Sequence, residues 1–425
     1  MAHWYTVPSG VRSRTMVPQE ESMFGPLEGI RVLEVANWLA VPGCGALLTD
    51  LGAQTIKVEP PQGDAWRGFR LETRGWDNPP PGNPMFEVDN RGKRSITVNL
   101  DKPEGQYLVR RLARDADIFL TNLVVGRRER YGLTYEALEA ENQRLIYLSF
   151  SGYGDRGPDR DRLGFDYAGF WSRSGILGSI GDPQLPPPMP RTGMGDHVTA
   201  PLLLAGVLAA LYERVTSGRG QQVSTSLLNS GIWVLGADLQ ATAITRQEPR
   251  RSPRSEAGNP MLNTYQAGDA RWFMLVMPAP EPYWPKLCAA LARPDLQADP
   301  RFATLRARSA NSGALVAVFE QAFQTASREE WGRRFDEHSL IWAPVQNMME
   351  VVDDPQVAAN GYFTEIKGHP TYGDFPTINT PVQFSRSDVG PKGPAPETGQ
   401  HTEEVLLELG YSWDEIAALR DSGVV

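Results

Sequence analysis

Two cysteines in 425 residues, Cys44 and Cys288, are too few for a disulfide framework and lack metal-ligand spacing. Histidine is scarce as well. The five (His3, His197, His338, His369 and His401) form no paired zinc-type motif, so no metal site is expected. No run of apolar residues reaches the ~18–20 needed to cross a bilayer, and the first 22 residues lack an apolar signal core. Positive charge is in deficit: the net charge is -9 and the pI about 5.3. That balance argues against nucleic acid as a main partner, because phosphate binding needs a basic face. These absences lead to the expectation of a cytoplasmic protein with reduced thiols and no membrane partner.

What is present is ordinary for a folded chain, with 41% apolar and 22% charged residues. A single core stops growing near ~250–300 residues, so two lobes are expected. Residues 1–24 read as a mobile tail. Residues 25–240 read as a large lobe in which strand signals (30–35, 55–59, 118–121, 145–150) alternate with helix signals (45–51, 103–114). That alternation predicts an α/β fold, a Rossmann-like parallel sheet with helices on both faces. Residues 200–212 are apolar nearly all round and predict a buried helix. Residues 241–260, rich in Arg, Pro and Ser, read as a linker. A smaller α/β domain follows over 261–345, and 346–425 returns to the large lobe. Ser327 with Glu330, and Ser412 with Glu415, have the spacing of helix-starting capping boxes.

The turn after the first strand reads AVPGCG (40–45) and lacks the GxGxxG pattern, so a dinucleotide is not the expected ligand. A series of short stretches is informative instead: GPLEGIRVLEV (25–35), DLGAQTIKVEPP (50–61), NRGKRSI (90–96), DIFLTN (117–122), LIYLSFSGYG (145–154), TSGRGQQV (216–223) and GQHTEEVLLELGY (399–411). Each is weak alone. In this order and spacing they resemble the family III CoA-transferases, the CaiB/BaiF family, which includes alpha-methylacyl-CoA racemase.

The resemblance implies a Rossmann-like large domain, a small domain and two chains interlocked like links, either a homodimer or a heteromer with a homologous subunit. It implies no tightly bound cofactor. Coenzyme A and acyl-CoA are substrates, with a carboxylic acid as acceptor. The family's CoA contacts map to Trp38, Leu39, Ala40, Val98, Asn122, Leu123 and Arg130, while two basic contacts are replaced by Pro60 and Ser151. Arg130 suits the role physically, since a guanidinium holds phosphate bidentately.

Transferases of this kind use one carboxylate, which is both a nucleophile and a good leaving group. The resemblance puts it in a loop upstream of a Gly-Asp pair. That pair is Gly195-Asp196, and the loop position carries Gln184, so either Asp182 takes the role or the chain is a silent subunit of a hetero-oligomer. The racemase branch uses a His and an Asp. Asp196 matches the aspartate, but Phe165 stands where the histidine would be, and Glu281 is left as a lone candidate base for an isomerase. His197 is a weaker candidate beside Asp196. Phe170 and Trp171 are candidate walls of an acyl pocket for bulky or aromatic acids, and Gly258-Asn259-Pro260 is a candidate lid.

Overall fold

The computed structural model describes residues 25–425, so the tail read over 1–24 lies outside the described residues. The large lobe is built on six strands: β1 (Arg31–Val35), β2 (Gln54–Glu59), β3 (Arg94–Thr97), β4 (Ile118–Thr121), β5 (Ile146–Ser151) and β6 (Gln222–Ser226). Their order is β3-β2-β1-β4-β5-β6 and every pairing is parallel. The expected α/β fold with a parallel sheet is therefore present. β4 and β5 are buried at every position, as a strand covered on both faces must be. The helices around these strands include α1 (Ala40–Asp50), α2 (Met85–Asn90), α3 (Pro103–Arg114) and α4 (Val125–Tyr131). α1 is buried along its whole length. α3 begins with Pro103, whose missing N–H is no loss at a helix start.

The buried strands carry charges. Glu34 in β1 bridges two lysines: Lys57 Nζ lies 3.0 Å from Glu34 Oε1 and Lys93 Nζ 2.7 Å from Glu34 Oε2. All three side chains are fully buried. Lys57 also meets Asp64 Oδ2 at 2.9 Å, and Lys93 donates to the carbonyls of Pro42 and Asp89. Burial disfavours the Glu34 anion, but the two ammonium groups outweigh it and its pKa falls below the ordinary value. A Cβ on Gly45 would come 2.1 Å from Glu34 Oε2, so the α1 backbone rests directly on this network.

A second core belongs to a three-stranded antiparallel sheet, β7 (Leu262–Gln266), β8 (Trp272–Val276) and β9 (Trp342–Pro344), with helices between β8 and β9. Its centre is aromatic, with Phe319, Phe323, Trp331 and Phe335 all buried. Ser327 accepts from the Glu330 N–H, which is one half of the expected capping box; the return bond from the Glu330 side chain to the Ser327 N–H is not made. The Glu330 carboxylate pairs with Arg333 and Arg334. The Ser412–Glu415 box closes in both directions. The chain then forms a hairpin, β10 (Phe363–His369) with β11 (Gly373–Ile378). It is tied to the large lobe by Arg91, which grips Asp50 with two nitrogens and donates to the Ile378 carbonyl. Helix Thr402–Glu408 docks beside β3, and Asn99 N–H bonds to the Val424 carbonyl at 2.7 Å.

One expectation needs correction. The helix predicted over 200–212 spans Met194–Ser217 and is not buried all round. Leu203, Val207 and Ala210 face the sheet, whereas Val198, Leu202, Tyr212 and Val215 are exposed. By length and hydropathy this helix could cross a membrane, but its inner side packs in the sheet's core and Arg214 is salt-bridged to Asp117. Helix Gly236–Thr245 runs into the stretch read as a linker and has no buried residue at all.

Removing the bridge at Glu34 leaves two lysines without their shared counter-charge. Glu34→Ala is expected to cost about 3–5 kcal/mol in denaturant unfolding. A loss under about 1 kcal/mol would show that the network is not a structural tie.

Candidate functional site

Strand order reverses between β1 and β4, and in open α/β sheets ligands bind in the crevice beyond the carboxyl ends at such a point. Two cavities open there. One of about 250 Å³ lies on the β4–β5 side and includes Phe150, Phe165, Asp196 and Leu227 in its wall. The other, about 780 Å³, lies on the β2–β3 side and includes Glu59, Asp64, Val98 and Tyr131. Asn37, Trp38, Leu123 and Arg127 border both.

The crevice is pinned where the two central strands end. Asn37 N–H donates to Asn122 Oδ1 at 3.2 Å, and Asn122 Nδ2 returns a bond to the Asn37 carbonyl at 2.6 Å. The next residue, Trp38, has a left-handed backbone with φ of 70°, an uncommon state for a bulky side chain. Its N–H donates to Asp64 Oδ1 at 3.1 Å. The Trp38 indole stands edge-on to Phe165, with ring centroids 5.0 Å apart.

Asp196 sits in the first turn of helix Met194–Ser217, and two glycines let that turn approach. Gly193 has φ of 77°, and a Cβ there would lie 2.7 Å from Leu39 Cδ2. A Cβ on Gly195 would lie 2.6 Å from the Phe170 ring, which is held by the π-helical turn Tyr167–Ser172. Glycine at 195 thus places the neighbouring carboxylate against the cavity. Burial pushes the Asp196 pKa up to about 8, and the negative charges of Asp166 and Asp89 add to the rise. His197 opposes it. Its Nε2 lies 3.0 Å from Asp89 Oδ1. Burial works against the imidazolium, but the Asp89 contact prevails and raises its pKa.

The structure gathers some of the candidates and separates others. Trp38, Leu39, Ala40, Asn122 and Leu123 line the smaller cavity, and Val98 lines the larger. Arg130 lines neither and pairs at the surface with Asp101, whereas Arg127, three residues earlier, borders both. Asp182 and Gln184 are outside the crevice. Asp182 is a turn residue whose Oδ1 accepts from the Gln184 N–H, and the Gln184 side chain is exposed. The loop is held by Arg251, which donates to the carbonyls of Ile180 and Gly181. Glu281 belongs to the small lobe, where it pairs with Arg308 beneath Trp284. Phe170 and Trp171 are buried in the large-lobe core, and the aromatic walls of the cavity are Trp38, Phe150 and Phe165. Asn259 is bonded into the small sheet through Met277 and Met261 rather than into the crevice. Arg127 was overlooked because it sits in a run of arginines, and Asp64 because nothing local distinguishes it from a turn aspartate. No group of three or more His, Cys, Asp or Glu side chains among the described residues could hold a metal.

A carboxyl whose pKa is raised by folding loses stability as pH climbs from the ordinary carboxylate range through its folded value, because the unfolded chain releases that proton earlier. Asp196→Asn cannot ionise, so its melting temperature is expected to exceed wild type at pH 8 and to converge with it towards pH 5. An equal difference at both pH values would contradict the assigned burial of the charge.

The sequence of this chain matches the family model described as CoA-transferase family III over residues 27–402. It is 32% identical to the (R)-2-hydroxy-4-methylpentanoate CoA-transferase of Clostridioides difficile, across 94% of this chain and 99% of that protein. It is 31% identical to the cinnamoyl-CoA:phenyllactate CoA-transferase of Clostridium sporogenes, across 92% and 95%. Among solved structures it is similar to a CAIB/BAIF family protein from Brucella suis, with a TM-score of 0.80 at 30% identity, covering 91% of this chain and all of that one.

Proposed function

This chain belongs to CoA-transferase family III, and we propose that it moves CoA from an acyl-CoA to a branched or aromatic carboxylic acid, with Asp196 as the nucleophile. The observation that carries this reading is that, among the described residues, Asp196 supplies the one carboxylate in the wall of the smaller cavity. The carboxylate attacks the thioester carbonyl, the C–S bond breaks, and CoA leaves as a thiolate while a mixed anhydride forms. The thiolate then attacks the Asp196 carbonyl of that anhydride and expels the donor acid, leaving an aspartyl–CoA thioester. The acceptor carboxylate repeats the two steps in reverse order. Each step exchanges one leaving group for another, and no net proton is gained or lost.

The ionised form of Asp196 is the reactive one, and the protonated imidazole of His197 favours that ion. The larger cavity, bordered by Arg127, suits the phosphate-bearing end of CoA. The apolar and aromatic wall of the smaller one suits a bulky acyl chain. The two named transferases above, for a branched 2-hydroxy acid and for phenyllactate, support the same substrate class. Two-base proton transfer is disfavoured, because Phe165 occupies the wall where a second acid or base would stand. A silent subunit is disfavoured as well, since the glutamine at 184 lies outside the cleft and the chain has its own carboxylate within it. We also propose that two chains pair through the exposed apolar faces of helices Met194–Ser217, Leu227–Val234 and Gly236–Thr245, which include Leu202, Val215, Trp233 and Ile244.

Asp196→Asn is expected to lower transfer between acyl-CoA and free acid by at least about 10³-fold, as loss of a covalent nucleophile does. Asp182→Asn should stay within about threefold of wild type. Wild-type rate should rise with pH towards about 8, as Asp196 ionises, and then level off. An active Asp196→Asn enzyme, or a dead Asp182→Asn one, would reject the assignment. For assembly, mass photometry at nanomolar concentration should find dimers; a well-folded monomer would refute the pairing.

A further inference from the structure

Trp38 is the residue whose conformation the fold works hardest to impose. It is a bulky side chain with φ of 70°, at the end of the central strand. Such a state persists only where the surroundings over-determine it, and it concentrates at functional positions. Here the restraint is visible. Asp64 accepts from the Trp38 N–H through Oδ1, at 3.1 Å, and from the Trp66 N–H through the same oxygen, at 3.0 Å. Its other oxygen meets Lys57 Nζ at 2.9 Å, with both side chains fully buried. Lys57 in turn is held by Glu34. The Asp64 backbone N–H donates to Glu59 Oε2 at 2.8 Å, so the turn that carries the aspartate is itself fixed. The result of this chain of contacts is a placed indole. The ring stands between Trp66, with centroids 6.2 Å apart, and Phe165, at 5.0 Å, and it borders both cavities.

We infer that Asp64 is a positioning residue for the transfer reaction, holding the Trp38 backbone so that the indole forms the wall that separates the acyl side of the crevice from the CoA side. This rests on the functional reading above and adds to it a cause of acyl selectivity. Asp64 itself touches no reacting atom. Its effect passes through Trp38, so losing it should change which acyl groups are accepted more than how tightly CoA itself is held. A purely structural Asp64 would lower stability and leave selectivity alone.

The test measures binding by calorimetry, with CoA, acetyl-CoA and phenylacetyl-CoA as probes, on the full chain. Trp38→Gly keeps the left-handed backbone without strain and removes the wall. It is expected to lose at least about tenfold of the preference for phenylacetyl-CoA over acetyl-CoA, a ratio from which any loss shared by the CoA moiety cancels. Asp64→Ala should reproduce that loss. Asp64→Asn, which keeps an oxygen for the Trp38 N–H and gives up the charge facing Lys57, should fall between and covers the case in which the alanine variant does not fold. Combining Trp38→Gly with Asp64→Asn should be no worse than Trp38→Gly alone, because the two act through one element. Unchanged selectivity in folded Asp64→Asn and Asp64→Ala, or additive losses in the double variant, would overturn the inference while leaving the transferase reading intact. Failure of the wild type to bind any of the three probes would overturn both.

Discussion

Glu34 lies between Lys57 and Lys93 with no solvent to share the charge, and the working part of the molecule depends on that arrangement. Burying three ionised groups is costly, and it is tolerated only where each finds several partners. The partners here are structural: the α1 backbone at Pro42, the α2 backbone at Asp89, the Ala36 carbonyl beyond β1 and the carboxylate of Asp64. One network therefore fixes the ends of the first two strands, the start of α1 and the turn that orients Trp38. Lys93 shows the tension of the arrangement, since burial lowers its pKa to about 8 even beside Glu34.

The carboxylate proposed as nucleophile is governed by the opposite condition. Among the described residues, no lysine or arginine pairs with Asp196; it shares its surroundings with Asp166 and Asp89, and its pKa is raised. A carboxylate held in this way is less well solvated and so a stronger nucleophile than one paired with a cation. The same polypeptide thus treats buried acids in two ways: Glu34, in the central strand, is neutralised for rigidity, and Asp196, in the first turn of a helix, is left beside like charge. The glycines at 193 and 195 make the second state possible, because any side chain there would push the helix start away from Leu39 and Phe170.

The parallel sheet was legible because its strands read as short apolar runs separated by helical segments, and periodicity reports burial on both faces. Trp38, Asn122 and Leu123, which the resemblance assigns to CoA contact, are brought together in the wall of one crevice. The proposed nucleophile was harder to read. Sequence places Asp182, Gln184 and Asp196 within fifteen residues of one another, and only the fold shows that the first two lie in an exposed turn while the third begins a helix aimed at the cavity. The arginines are a similar case: Arg127 and Arg130 lie on the same short helix, and only the fold shows that Arg127 borders both cavities while Arg130 pairs with Asp101, itself in the wall of the larger one. The buried network left a signal that passed unread, namely charged residues inside strand-forming runs, at Glu34, Lys57 and Glu59. The exposed face of helix Met194–Ser217 could not be foreseen from an apolar pattern that is continuous around the helix.

The central claim is that Asp196 forms a covalent bond to the acyl group and then to CoA. The most direct measurement is to mix the protein with phenylacetyl-CoA, quench with hydroxylamine and map the modified peptide by mass spectrometry. The account predicts a hydroxamate on Asp196, absent when acyl-CoA is omitted. A mark on a different acidic residue, or steady turnover with no marked peptide at all, would contradict it.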